Sequence, residues 1–218
     1  MASMNTLTGL QVAEAGLTGW VNLLGGLQTR VLTRDFVTGL ALVDAIGAAA
    51  EELDHHPDLD LRYGHVDIRL SSHDAGGITG RDIRLARRIA SLVAAAGLEQ
   101  SATGLTRFEL GLDTPASAPV LPFWAAVLAL EPPAADADEL PDPSTALPTL
   151  WLQPSGSEEP RQRWHPDLWV GPGEVQPRID AALAAGGTLV SDEEAPAFWV
   201  LADPEDNRVC FCTWQERD

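Results

Sequence analysis

The sequence contains no lysine, and its 14 basic residues are all arginines, set against 32 acidic residues. The formal net charge of −18 repels the phosphates of nucleic acids and anionic membrane surfaces, so neither is an expected partner. No apolar run reaches the roughly 20 residues that a transmembrane helix requires. The first residues also lack the basic and apolar segments of a secretory signal. We therefore expect neither a membrane protein nor a secreted one.

Cysteine is almost absent as well, since the chain has only Cys210 and Cys212. They alternate with Phe211 in a strand-like run and so point the same way from one strand, which is poor geometry for a disulfide between them. We interpret both as reduced core residues, which favours a cytoplasmic location.

The remaining residues divide the chain into two halves of different composition. Four of the five histidines lie in residues 55–73, whereas six of the seven tryptophans follow residue 120. Residues 98–104 follow a helix that is predicted to end at Gly97, and they make a better boundary than the acidic, proline-rich stretch 131–138. We predict one domain over residues 1–102 and another over residues 104–218, with 131–138 as a surface loop of the second.

The first half alternates between helical and strand-like patterns. Helices are predicted to begin near Thr8, Asp35 and Thr79, and the second is predicted to end at Pro57. Strands are predicted at 19–24, 27–33, 61–63 and 65–71, with the first two joined by a turn at Gly25-Gly26. This order is typical of an α+β fold, an antiparallel four-stranded sheet with helices on one face.

Three histidines of this half suggest chemistry. His55 and His56 are adjacent at the predicted helix end, and His73 lies just beyond a strand. Imidazole titrates near pH 6.5, so such a set can supply both proton donors and acceptors. Taken alone, the residues could also be solvated loop residues, and a zinc site is a weaker alternative. Their spacing lacks a regular helical histidine pair or paired cysteines, so we predict no metal.

A resemblance separates these alternatives. The pattern resembles the signature of the pterin-4a-carbinolamine dehydratase family, and the likeness extends over residues 7–96. The signature residues are Glu51-x3-His55-His56-Pro57-x5-Tyr63-x9-His73-x8-Asp82, followed within the same likeness by Gly76-Gly77-Ile78-Thr79. The resemblance implies a hydro-lyase that converts a 4a-hydroxytetrahydropterin into quinonoid dihydropterin without a metal or an organic cofactor.

The resemblance also implies roles for individual residues. His55 and His73 would form the acid–base pair, and His56 would mainly hold the pterin substrate. Glu51 and Asp54 would orient the imidazoles or hydrogen-bond to the pterin.

The roles of Trp20, Tyr63 and Asp82 differ from one another. Trp20 would stack on the pterin ring or pack in the core. Tyr63 is interpreted as structural, and Asp82 is explained by a capping box with Thr79. The strand with Val31 and Leu32 lacks the aromatic residues common in the family, so the number of subunits stays open, with a homo-oligomer as one option.

The second half resembles the paired βαβββ modules of the glyoxalase and bleomycin-resistance superfamily. Each module would begin with a strand and a helix, at 107–113 and 122–130 and again at 164–170 and 177–185. The residues that carry the likeness are 186–187, 195–199 and 202–207.

Catalytic members of that superfamily hold a divalent metal through histidine and glutamate. Here His165 lies near one such position, but Cys210 stands about where a glutamate would be expected, and Glu109 is a weak candidate. We therefore predict no metal site. A small-molecule pocket is an alternative to simple core packing for five tryptophans, namely Trp124, Trp151, Trp164, Trp169 and Trp199.

Two alternatives to a dehydratase remain. The first domain could act as a non-catalytic interaction partner of other proteins. The main function could instead lie in the second domain, as a glyoxalase-like metal-dependent or small-molecule-binding protein to which the first domain is an accessory or dimerisation module.

Overall fold

A computed structural model describes residues 5–118, 121, 124–125, 130–131, 134, 137–142, 147–155, 164–184, 186–202 and 208–217. The chain forms two compact units, Met1–Leu105 with Trp214–Asp218, and Thr106–Thr213. The end of the chain therefore belongs to the first unit, where a Cβ on Gly9 would lie 2.6 Å from the ring of Trp214. No helix among the described residues is long and apolar enough to cross a membrane.

The first unit is an antiparallel sheet covered by helices. Its elements are α1 (Gly9–Glu14), β1 (Val21–Leu23), β2 (Gly26–Leu32), α2 (Phe36–Leu53), β3 (Asp58–Leu61), β4 (His65–Leu70), α3 (Gly80–Ala95) and β5 (Glu99–Ser101). The strand order is β1-β2-β4-β3, and β5 also pairs with β2. The predicted α+β class is confirmed, but the sheet has a fifth, short strand inside the stretch that was interpreted as a boundary.

Alternation along β4 shows why the sheet has one buried face. Val66, Ile68 and Leu70 are buried, whereas the residues between them are partly exposed. The buried side chains pack against Leu85 and Ile89 of α3 in one hydrophobic core. Burial of such side chains stabilises the unit by roughly 1.5–3 kcal/mol each, and it holds α3 against the sheet.

The first hairpin turns one residue earlier than predicted. Leu23 pairs with Gly26, so Leu24 and Gly25 form the two-residue turn. Both residues have positive φ, 47° and 63°. A two-residue turn of this kind requires positive φ at both positions, and Gly26 is needed in β2 instead.

The second unit is one seven-stranded sheet. Its elements are β6 (Thr106–Thr114), β7 (Glu139–Leu140), β8 (Thr149–Pro154), β9 (Trp164–Val170), α4 (Pro172–Ala184), β10 (Thr188–Ser191), β11 (Phe198–Ala202) and β12 (Arg208–Cys212). The strand order is β10-β11-β12-β9-β6-β8-β7.

The two halves of this sheet meet where β6 and β9 pair antiparallel. The second half is a complete βαβββ module, in which β12 returns parallel to β9. In the first half, β8 returns parallel to β6 in the same way. The predicted helix at 122–130 lies largely outside the described residues. The other predicted helix begins five residues earlier than expected, at Pro172, and contains Pro177.

The register divides the second sheet into two faces. One face packs against helical residues through two hydrophobic clusters. Residues paired directly across strands share a face, so the other face can be read from the pairings of β6, β8, β9 and β12. We call it the polar face, and it carries Arg107, Glu109, Gly111, Asp113, Thr149, Trp151, Gln153, His165, Asp167, Trp169, Cys210 and Cys212.

Candidate active site

The end of α2 places the two adjacent histidines in different environments. The helix ends at Leu53, four residues before the proline predicted to stop it, because Asp54 adopts a left-handed conformation with φ 48°. The N–H of the next residue, His55, then donates to the carbonyl of Ala50. As a result His55 is buried, whereas His56 is exposed.

His55 is fixed by a buried carboxylate from α3. Its Nε2 lies 2.7 Å from Oδ1 of Asp82, and the two side chains are 8% and 0% exposed. Asp82 is the third residue of α3, where it completes the predicted capping box with Thr79. The capping interpretation is confirmed, but it accounts for only one of the two carboxylate oxygens.

The second oxygen of Asp82 is held by three donors. Oδ2 accepts hydrogen bonds from the Ser72 hydroxyl at 2.7 Å, from the Thr79 N–H at 2.7 Å and from the Thr79 hydroxyl at 3.2 Å. Because these contacts fix the carboxylate, Oδ1 is aimed at His55 as an acceptor. A neutral His55 then carries its proton on Nε2 and presents Nδ1 as the acceptor.

His56 and Glu51 form a second, exposed pair at the end of α2. Nε2 of His56 lies 3.0 Å from Oε1 of Glu51, and the two side chains are 59% and 79% exposed. Both can meet a ligand from solvent, and their roles remain predictions.

His73 lies on a tight turn between β4 and α3. The Ser72 N–H donates to the Gly77 carbonyl, and the N–H groups of Ala75 and Gly76 donate back to the Ser72 carbonyl. Gly76 has φ +71°, a conformation that favours glycine. His73 is exposed. It directly follows Ser72, whose hydroxyl donates to Asp82, the carboxylate that contacts His55.

An ion pair that sequence reasoning missed lies beside these residues. Arg81 donates to Asp74, and this hydrogen bond lowers the pKa of the Asp74 carboxyl and raises the pKa of the Arg81 guanidinium. Asp82 and Asp54 raise the pKa of Arg81 further through space, and His55 lowers the pKa of Asp74 through space. These groups therefore lie within electrostatic range of one another. A positive charge near the N-terminus of a helix is unfavourable, because it opposes the helix dipole. Arg81 in the first turn of α3 was therefore a signal in the sequence that a carboxylate partner lies nearby.

Two aromatic residues of the pattern are less directly involved. Trp20 is partly buried and packs against the core of the first unit, so its predicted stacking on a pterin stays a prediction. Tyr63 is 75% exposed. His65, which has no place in the pattern, lies on β4, 3.9 Å from the carboxylate of Asp67.

The tryptophans of the second unit do not line one pocket. Trp151 and Trp169 lie on the polar face. Trp124 and Trp164 form an edge-to-face pair at 5.1 Å on the helix-packed side, and Trp199 packs in the core beneath α4. The polar face nevertheless brings together His165, Asp167 and Cys210, whose potential metal-binding atoms lie within 4.8 Å of one another.

Comparison with known proteins assigns both halves. A family model described as Pterin 4 alpha carbinolamine dehydratase matches residues 5–92, and one described as Glyoxalase-like domain matches residues 109–212. A relative from Nocardia farcinica is 44% identical over 84 residues, which are 38% of this chain and 88% of the relative. One from Koribacter versatilis is 38% identical over 80 residues, 37% of this chain and 85% of the relative. Both are named "Putative pterin-4-alpha-carbinolamine dehydratase".

Among solved structures, a chain described as a transcriptional coactivator/pterin dehydratase from Brucella melitensis is 32% identical. The match covers 40% of this chain and 98% of that chain, with a TM-score of 0.39. Together with the family models, the relatives show that this chain belongs to the pterin-4a-carbinolamine dehydratase family and continues into a glyoxalase-like domain.

Proposed function

We propose that the first unit is a 4a-hydroxytetrahydropterin dehydratase that works by histidine acid–base catalysis. The observation that carries the proposal is the buried His55–Asp82 pair, at 2.7 Å, next to the exposed His56 and within one residue of the turn that carries His73. The family and the names of the relatives support the same reaction class.

The reaction needs two proton movements and no cofactor. A proton is delivered to the departing 4a hydroxyl, which leaves as water, and a proton is removed from N5. The N5 electron pair forms the new carbon–nitrogen double bond of the quinonoid product. Correctly positioned acids and bases contribute about 100- to 10,000-fold each to such steps.

The geometry supports different tasks for the three histidines. Asp82 orients the His55 imidazole and stabilises its protonated form, so His55 can take up and return a proton at Nδ1. His73 is exposed and would carry the other proton. His56, with Glu51, would hold the pterin at the surface, with Asp54 and Trp20 as further binding residues.

Asp82 is proposed as a positioning residue, because it acts through His55. In Asp82→Asn, the amide oxygen can retain the hydrogen bonds at the helix cap, while the amide nitrogen faces Nε2 of His55. A donor facing Nε2 forces the proton of a neutral His55 onto Nδ1, the reverse of the wild-type tautomer. The variant should therefore fold, lose at least 100-fold in rate and show an altered pH–rate profile.

The test is the rate of quinonoid dihydropterin formation from freshly generated 4a-hydroxytetrahydropterin. The full chain should exceed the buffer rate, and His55→Ala and His73→Ala should each lose about 100-fold or more. His65→Ala is the matched control, because His65 is a partly buried histidine of the same unit outside the pattern, and it should keep full activity. A full chain no faster than buffer would refute the dehydratase proposal.

The rival proposal, in which the first unit is only an accessory, gives a different result. It predicts no dehydration by the full chain and no effect of His73→Ala on any activity of the second unit. The number of subunits and the cytoplasmic location stay predictions, the latter based on the two free thiols.

A further inference from the structure

The start of α3 holds both neighbours of His73. On one side, the hydroxyl of Ser72 donates to Oδ2 of Asp82 at 2.7 Å. On the other side, the carboxylate of Asp74 accepts a hydrogen bond from Arg81. Arg81 and Asp82 are consecutive residues in the first turn of α3. The exposed histidine therefore lies between two side-chain contacts to a single turn of one helix.

Backbone hydrogen bonds close the base of the turn that carries His73. The N–H of Ser72 donates to the carbonyl of Gly77 at 2.9 Å. The N–H groups of Ala75 and Gly76 each donate to the carbonyl of Ser72, also at 2.9 Å. These bonds meet at Ser72, the residue before the histidine. The Arg81–Asp74 contact adds a bond on the residue that follows it.

The Arg81 side chain is held in place at this contact. It is 21% exposed, whereas the Asp74 side chain is 58% exposed. Nε of Arg81 is buried and has no hydrogen-bond partner among the residues that the structure describes. A buried donor without a partner has lost its hydration, so this guanidinium makes its hydrogen bond through the end that faces Asp74. The bond raises the pKa of Arg81 and lowers the pKa of Asp74, which keeps both groups charged.

The stability of α3 does not explain an arginine at this position. A positive charge in the first turn of a helix opposes the helix dipole. Ion pairs that are largely open to solvent also contribute little to the free energy of unfolding. The benefit of Arg81 is therefore local, in the segment that it holds, and that segment carries His73.

We propose that Arg81 is a positioning residue that acts through Asp74 to fix the turn carrying His73. The inference rests on the proposed dehydratase function, in which His73 moves one of the two protons. Because Asp82 contacts both His55 and Ser72, the first turn of α3 sets the position of both proton carriers. A misplacement of about 1 Å can cost about 100-fold in rate, and loss of one partly exposed contact should cost about 10-fold.

The experiment measures dehydration by the full chain with Arg81→Gln, Asp74→Ala and the double variant. Each single variant should lower kcat about 10-fold and leave KM within about twofold, since neither side chain is proposed to touch the pterin. The double variant should lose no more than either single one, because both changes remove the same contact. Asp74→Glu keeps the carboxylate and should retain most of the rate.

Arg69→Gln is the matched control. Arg69 donates to Asp58 at 3.3 Å, and the two side chains are 18% and 50% exposed, close to the values for the Arg81–Asp74 pair. The same substitution thus breaks an ion pair of similar exposure that does not hold the His73 turn. This variant should keep the parent kcat.

Amide hydrogen exchange tests the positioning role without any activity. The N–H groups of Ala75 and Gly76 exchange when the turn opens, so their exchange should be about 10-fold faster in Arg81→Gln and unchanged in Arg69→Gln. Thermal unfolding establishes that each variant is folded. If the parent chain is no faster than buffer, the dehydratase proposal fails, and exchange alone decides whether Arg81 fixes the turn.

Three results would overturn the positioning role. The first is exchange at Ala75 and Gly76 that Arg81→Gln leaves within about twofold of the parent. The second is a loss of activity that appears in KM alone, which would place Arg81 in contact with the substrate. The third is a double variant in which the two single losses add, because independent effects add and a shared contact does not.

Discussion

Each unit has one histidine that lies largely buried beside carboxylates, but the two histidines differ in the groups that contact their rings. In the first unit, Ser72 and Thr79 donate to one carboxylate oxygen of Asp82, and the other oxygen contacts His55. In the second, His165 lies between two carboxylates and faces a thiol. The first arrangement gives the imidazole one defined acceptor, whereas the second places a carboxylate near each ring nitrogen. The acid–base role proposed for His55 therefore depends on a fixed ring orientation, which the surroundings of His165 do not provide in the same form.

The largest effect should come from breaking the first environment. Asp82→Ala leaves His55, Ser72 and the Thr79 N–H without their buried acceptor, which should lower the free energy of unfolding by about 3 kcal/mol. Chemical denaturation monitored by hydrogen exchange should show the loss in peptides of the first unit. Peptides of β9 and β12 serve as the internal control, and equal loss there would contradict a local role.

Breaking the second environment should have a somewhat smaller effect. A methyl group in Gly111→Ala would overlap the His165 ring, and overpacking of this kind costs about 1–3 kcal/mol. The variant should unfold more easily, with unchanged dehydratase rate. Gly173→Ala is the control, because no atom lies within 4 Å of the added Cβ. Unchanged stability of Gly111→Ala would show that the ring is not fixed by this glycine.

Alanine substitutions at two glycines of α2 should change the stability of the first unit in opposite directions. Gly47→Ala adds a Cβ with nothing within 4 Å, so it should stabilise the helix by about 0.5–1 kcal/mol. Gly39→Ala places a Cβ 2.6 Å from Leu61 and should destabilise it. Thermal unfolding compares the two variants, and a gain from both would contradict the packing of α2 against β3.

The smallest effect is electrostatic. The backbone N–H of Thr38 donates to Asp35 at the start of α2 and lowers the pKa of this carboxyl. A lowered folded pKa stabilises the protein above the unfolded value of about 3.9, and this contribution is lost as pH falls through the folded value. Asp35→Ala should therefore lower Tm at pH 7 and much less at pH 2.5. Asp35→Asn caps without titrating, so it should be slightly less stable than the parent at pH 7, and this difference should disappear near pH 2.5.

Local signals in the sequence identified most of the first unit. Thr79 and Asp82 form the predicted capping box, and Val66, Ile68 and Leu70 lie on the buried face of β4 as their alternation predicted. These features depend on residues within a few positions of one another. The two-fold spacing of a strand and the reach of a capping side chain are properties of the local backbone.

The errors arose where a local choice depended on a distant partner. Gly25-Gly26 was the better turn by composition, yet Gly26 belongs to β2, where a Cβ would lie 2.6 Å from the side chain of Arg69. The short strand at 99–101 was not predicted, because its pairing partner, β2, lies some seventy residues earlier in the chain. Pairing across such a separation leaves no local pattern to detect.

For the candidate sites too, some features follow from the local sequence and others only from the tertiary structure. The sequence alone determined the α+β class, the histidine pattern and the two families, because residue spacing and type carry them. Only the tertiary structure showed that Asp82 reaches His55, that Arg81 pairs with Asp74 and that Asp167 joins His165 and Cys210. The contacts of Asp82 with His55 and of Asp167 with Cys210 depend on strand register and helix packing between separate segments, and that of Arg81 with Asp74 on the tight turn before α3.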